Sequence, residues 1–111
     1  MAYSKTDLFE QKLSSASVLF KALAHPARLA ILQYLAETKA CMTGDICDEL
    51  PLSRTTVNQH LKELKDAGLI RGQVDGVKVN YCLDPKNICE LGRVFKQFFE
   101  VINVQGTLNC K

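Results

Sequence analysis

Apolar residues recur every three or four positions over much of the chain, and polar or rigid residues mark where each run ends. Leu8, Phe9, Leu13, Ala16, Leu19, Phe20 and Leu23 share one face of a helix over about 5–23. His25-Pro26 stops that helix and opens a second, because proline at a first helical position gives up an N–H that would lack a partner anyway. The second helix carries Leu29, Ile31, Leu32 and Leu35 and fades near Glu37-Thr38-Lys39. A short third helix over about 43–50 has Thr43 as N-cap, Asp45 in the first turn, and Ile46 and Leu50 facing inward until Pro51 ends it. Ser53 caps a fourth helix, about 53–67. Its narrow seam is Val57, Leu61 and Leu64, its other faces are polar, and Gly68 stands where a left-handed cap belongs.

The pattern then changes from helical spacing to alternation. Ile70 to Leu83 reads as a hairpin within a segment of about 69–83, turning at Asp75-Gly76. That turn pairs Val74 with Val77, Gly72 with Val79 and Ile70 with Tyr81. It places Val77, Val79, Tyr81 and Leu83 on one face. Asp84-Pro85 ends the hairpin. A last helix, about 87–104, carries Ile88, Leu91, Val94, Phe95, Phe98, Phe99 and Ile102 on a wide apolar face. The predicted fold is mainly α with a small β-hairpin, in the order α-α-α-α-β-β-α, as one domain over 1–111.

Composition narrows the function. The 47% hydrophobic residues supply a core, and 23% charged residues keep the chain in water. The net charge of +2 is too small to argue from by itself, so the placement of Lys and Arg decides. No run approaches the roughly 18 apolar residues of a membrane span. The N-terminal residues do not read as a signal peptide. A cytoplasmic location is expected, with thiols kept reduced. Five irregularly spaced cysteines, an odd number, do not suggest a disulfide framework. No Gly-rich phosphate loop, Ser/His/Asp set or paired-carboxylate motif points to an enzyme.

The order helix, tight turn, polar-faced helix, ribbon is that of a winged helix-turn-helix. A helix fits the major groove of B-DNA, and a thin hairpin can lie along the backbone or in the minor groove. Ser53, Arg54, Thr55, Thr56, Asn58, Gln59 and His60 are read as facing away from the core at the start of the fourth helix. Arg can bond guanine bidentately, Asn and Gln adenine, and Ser and Thr reach phosphates or bases. The helix start favours a phosphate. Lys62 and Lys65 on the helix, with Arg71 and Lys78 on the ribbon, can grip the phosphate backbone. Glu63 and Asp66 face solvent or pair with lysines. Of the two histidines, His25 caps or packs at a helix start. His60 makes a DNA-backbone contact or a structural hydrogen bond. A competing reading is a winged-helix module whose polar helix docks on another protein. The excess of Arg54, Lys62, Lys65, Arg71 and Lys78 over acids on that surface favours DNA.

Three stretches carry a resemblance to a known family: Leu23-Ala-His-Pro-Ala-Arg-Leu-Ala-Ile-Leu32, Asp45-Ile46, and Leu52 through Ile70, followed by the Gly76 wing ending at Tyr81. Over about 16–83 the chain resembles the ArsR family of winged-helix repressors. The resemblance implies a homodimer built from the first and last helices, a palindromic operator, and repression relieved by a signal. The sequence itself also bears on the dimer. Three of the five phenylalanines, Phe95, Phe98 and Phe99, crowd the last helix. They either pack inside the chain against Leu8 or Phe9, or form with Leu8, Phe9, Leu13 and Ile102 an interface with a second copy. A two-fold dimer sets its two reading helices about 34 Å apart, one turn of DNA.

The family resemblance also implies candidate ligands for a metal or metalloid ion. Its best-known site uses closely spaced cysteines near the third helix. Cys47 aligns with the last of such a trio, Gly44 stands at the middle position, and Cys41 lies one residue from the first. The family's other site, Asp and His pairs on the last helix, is set aside because that helix has no His. Some relatives sense arsenite, sulfur species or oxidants through cysteine pairs. Cys41, Cys47, Cys89 and Cys110 are the thiol candidates for a bound ion or for oxidation, and each also reads as a small hydrophobe. An organic ligand, a partner protein or no inducer remain the other options.

Overall fold

The computed structural model describes residues 9–38, 46, 49–76 and 78–103; the side chains of Asp75 and Lys78 also lie outside the description. Among the described residues, four helices and one hairpin follow in order: α1 (Gln11–Ala22), α2 (Pro26–Thr38), α3 (Arg54–Asp66), β1 (Ile70–Asp75), β2 (Lys78–Leu83) and α4 (Pro85–Ile102). The fold is mainly helical with a two-stranded antiparallel wing, as predicted. Leu8, the expected start of the first helix and most of the short helix over 43–50 lie outside the described residues. Of that short helix, Ile46 is buried in the core.

The core gathers where α2, α3 and the wing meet. Ile31 and Leu35 of α2, Ile46, the α3 seam of Val57, Leu61 and Leu64, and Leu69 and Ile70 at the wing's base form it, with Ala22 and Leu91 closing it from α1 and α4. Burying an apolar side chain of this size contributes about 1.5–3 kcal/mol, so three seam residues suffice to hold α3 by one face and leave its other faces outward.

Both ends of α3 are set by local chemistry. Ser53 Oγ accepts from the Thr56 N–H at 3.2 Å. At the other end the Leu69 N–H reaches Leu64 O (3.0 Å) and the Gly68 N–H reaches Lys65 O (2.9 Å). This is a Schellman turn, and Gly68 supplies its left-handed residue with φ +83°.

Two boundaries differ from the sequence expectation. The wing pairs Ile70 with Leu83, Gly72 with Tyr81, Val74 with Val79 and Asp75 with Lys78. Gly76 therefore follows the last paired residue of β1, at φ +66°. Glycine leading a two-residue loop competes with the Asp-Gly reading and prevails here. The register moves by two residues, an even shift that keeps the alternation of Val79, Tyr81 and Leu83 on one face; Val77 lies outside the described residues. The last helix begins at Pro85, earlier than 87. Asp84 caps it, accepting from the Asn87 N–H at 3.1 Å, and Pro85 takes the first helical position. Val104 lies outside the described residues. At the other end of the chain, Phe9 and Glu10 precede α1, because Glu10 is extended at φ −56°, ψ 142°.

Phe20 of α1 stacks on Phe95 of α4, centroids 4.8 Å apart, and meets Phe98 edge-on at 5.8 Å. Phe9, Leu13, Phe95, Phe98, Phe99 and Ile102 nonetheless remain exposed in the single chain. No described helix is long and apolar enough to cross a membrane.

Candidate nucleic-acid interface

The surface of α3 follows from its seam. With Val57, Leu61 and Leu64 inward, Ser53, Arg54, Thr55, Asn58 and Gln59 lie exposed, and Thr56 is half-buried. Ser53 donates its hydroxyl hydrogen to Thr56 Oγ1 at 2.9 Å, so the cap employs both faces of the Ser53 oxygen. Its role is to start the helix, and the outward donors are Arg54, Thr55, Asn58 and Gln59. No acid occurs in the first two turns, Arg54 to Leu61.

The basic residues divide. Lys62 bonds Asp66 one turn on at 2.7 Å, and that bond holds its ammonium above the ordinary lysine range. The pair is solvent-exposed, so water screens it and it adds little stability. Lys65 lies against the wing, its Nζ 3.7 Å from where a side chain at Gly72 would begin. Arg71 is exposed on β1. The Lys78 backbone stands opposite Asp75 beside the loop, and its side chain lies outside the described residues.

His60 departs from the outward set. It is only 9% exposed and faces α2. Its Nδ1 accepts from Arg28 Nε at 3.1 Å, and its ring lies 4.2 Å from that of His25. Burial first, then electrostatic interaction with His25 and with the Arg28 guanidinium, holds its pKa below the ordinary histidine value; Glu63 opposes them. Its place one helical turn after Thr56 and Val57 puts it beside the apolar seam, and the structural hydrogen bond is what it makes. His25 caps α2, its Nδ1 accepting from the Ala27 N–H at 3.0 Å. Arg28 is the residue that sequence reasoning did not assign. Its Nη1 donates to the carbonyls of Lys21 and Ala22 at 3.2 and 3.4 Å. The sequence offered only an arginine two residues after the helix-starting proline; its partner on the next long helix follows from the packing.

The cysteines are scattered. Cys82 in β2 is buried and disulfide-bonded, against the expectation that thiols are reduced. Cys89 is a free thiol exposed on α4. Cys41, Cys47 and Cys110 lie outside the described residues. Among the described residues no three His, Cys, Asp or Glu side chains cluster as metal ligands. His25 and His60 each already use Nδ1, and Cys82 is bonded, so the described donors do not fit a metal ion.

Comparison with known proteins places this geometry. A helix-turn-helix domain family matches residues 23–73, which run from the end of α1 into the wing. The transcriptional regulator YgaV of Escherichia coli is 34% identical over 80 residues, 70% of this chain and 81% of its own length. The solved structure of a possible transcriptional regulator for arsenical resistance superposes with a TM-score of 0.67 at 28% identity, covering 83% of this chain and 97% of the other. The chain belongs to the ArsR family of winged helix-turn-helix transcriptional regulators. The repressor SmtB of Mycobacterium tuberculosis is 37% identical over 79 residues, 71% of this chain; those residues span 58% of SmtB. For an ArsR-family chain, α3 and the β1–β2 wing are the helix and ribbon of the winged motif. The acid-free start of α3 and the exposed Arg71 lie on those two elements.

Proposed function

We propose that the chain is a transcriptional repressor that binds a palindromic operator in double-stranded DNA as a homodimer. The observation that carries this reading is the acid-free, exposed start of α3. There Arg54, Thr55, Asn58 and Gln59 present base-reading groups while Val57, Leu61 and Leu64 hold the helix by its other face. Arg71 and Lys78 on the wing, with Lys62, contact phosphates and set register. The dimer forms through α1 and α4. Leu13, Phe98 and Val101 line an apolar groove of about 250 Å³ between those helices, and Phe9, Phe95, Phe99 and Ile102 extend the exposed apolar surface. Apolar surface of this extent marks an interaction site.

Release by a signal belongs to the same proposal, and cysteine chemistry is its candidate. Cys82 carries a disulfide at the wing, and Cys89 offers an exposed thiol. No step through a metal ion is assigned.

The test is selection of duplexes from a random pool, with and without a thiol oxidant. A two-fold symmetric consensus with half-sites about one turn apart is the expected result. Failure to enrich any sequence, with binding only to proteins, would instead favour the interaction-module reading. A variant with every cysteine replaced by serine that still releases DNA on oxidation would remove cysteines from the signal.

A further inference from the structure

We infer that Arg28 is the positioning residue for DNA reading, tying α3 to the end of α1 through a nitrogen of His60 that has to stay unprotonated. This rests on the proposal that α3 reads DNA. Arg28 leaves α2, donates Nε–H to His60 Nδ1 on α3, and donates from Nη1 to two carbonyls in the last turn of α1. One planar, permanently charged fork therefore spans three helices. The α1 carbonyls carry the partial negative charge of a helix end, which suits a guanidinium.

The donors around the two imidazoles dictate their proton positions. Arg28 Nε and the Ala27 backbone nitrogen always carry hydrogen, so His60 Nδ1 and His25 Nδ1 act as acceptors. Each ring then holds its hydrogen on Nε2. A proton on His60 Nδ1 would set N–H against N–H and break the Arg28–His60 bond between α2 and α3. The groups facing His60 are Arg28 from α2, His25 from the α1–α2 joint and Glu63 from its own helix. Two of the three oppose a charge there, as does burial.

His60 follows directly after Asn58 and Gln59, so the Arg28 bond sets the rotation and depth of the reading face. Base contacts need placement to about 0.5 Å. Loss of the bond therefore lowers specific binding more than phosphate-driven binding.

The experiment compares the affinity of the full chain for the selected operator and for a scrambled duplex by fluorescence anisotropy, from pH 7.5 to 5. Folded fraction is followed by circular dichroism. The wild-type ratio of operator to scrambled affinity is expected to fall by roughly tenfold on acidification, as each protomer loses its bond. Arg28→Gln is expected to show that reduced ratio already at pH 7.5. His60→Asn, whose Oδ1 can accept from Arg28 and does not titrate, is expected to keep its ratio across the range. The inference is overturned if folded Arg28→Gln keeps the wild-type ratio, or if His60→Asn loses its ratio on acidification as wild type does. A wild type that binds no duplex overturns the DNA reading and this role with it. Nitrogen chemical shifts of His60 test the link without DNA. An unprotonated Nδ1 that changes in Arg28→Gln supports it, and a protonated Nδ1 at pH 7.5 overturns it.

Discussion

Asn87 donates from Nδ2 to the carbonyl of Gly68 at 2.8 Å, fastening the first turn of α4 to the end of α3. Gly68 holds φ +83°, and a Cβ there would lie 3.0 Å from that same nitrogen. Gly68→Ala therefore meets both a left-handed backbone and a displaced partner. It is expected to destabilise the fold by about 1–3 kcal/mol. Asn87→Ala, which loses only the bond, should cost about 1 kcal/mol. Urea titrations of both variants check the order; an unchanged midpoint for Gly68→Ala would refute this account of the turn.

Ser53 separates stability from binding. Ser53→Ala removes the cap of α3 and should cost about 1 kcal/mol. Ser53→Asp keeps a capping oxygen but places a negative charge where the helix start is proposed to approach phosphate. Its melting temperature should match wild type while duplex affinity drops. Equal affinity would detach this helix end from DNA.

The proposed contacts differ in what they read. Arg54→Ala or Gln59→Ala is expected to cost about 1–3 kcal/mol on the operator and relax preference at one base position. Arg71→Ala and Lys78→Ala should weaken all duplexes alike and flatten the salt slope by about one unit each. Asp66→Asn releases Lys62 from its ion pair and should steepen that slope. Gel-shift titrations at several salt concentrations resolve the three behaviours.

His60 also makes stability depend on pH. Its folded pKa lies below the unfolded value, so the unfolded chain binds the extra proton first. Stability is highest above about pH 6.5, falls as pH drops through the unfolded histidine pKa, and levels off below the folded one. His60→Asn should show a shallower fall over that window in urea denaturation at stepped pH. A wild-type curve rising toward acid would contradict the burial of a neutral ring.

The α1–α4 face predicts oligomeric state. Phe98 is partly packed on Phe20 and partly exposed. Phe99→Glu places a charge on the exposed strip without removing a ring from that stack. Sedimentation of this variant is expected to give a monomer with the wild-type helical content. A dimer of unchanged strength would move the interface elsewhere.

Periodicity made most of this fold legible. The Val57, Leu61, Leu64 seam and the Ser53 and Gly68 boundaries follow from rules that act within one helix. Short-range rules competed where the structure differs. Asp75-Gly76 and Gly76-leading turns both satisfy the hairpin, and Pro85 reads equally as an end or a beginning. Such choices are settled by which residues the rest of the chain must bury.

What the chain order alone determined is the element plan and the polar character of α3, because hydrophobic spacing and capping are properties of neighbours along the backbone. Only the packed structure turned His60 inward to Arg28, joined Gly68 to Asn87, and left the Phe95–Phe99 face exposed beside α1. Those relationships join residues far apart in the chain, and whether each group meets water or a partner depends on how the helices close around the core.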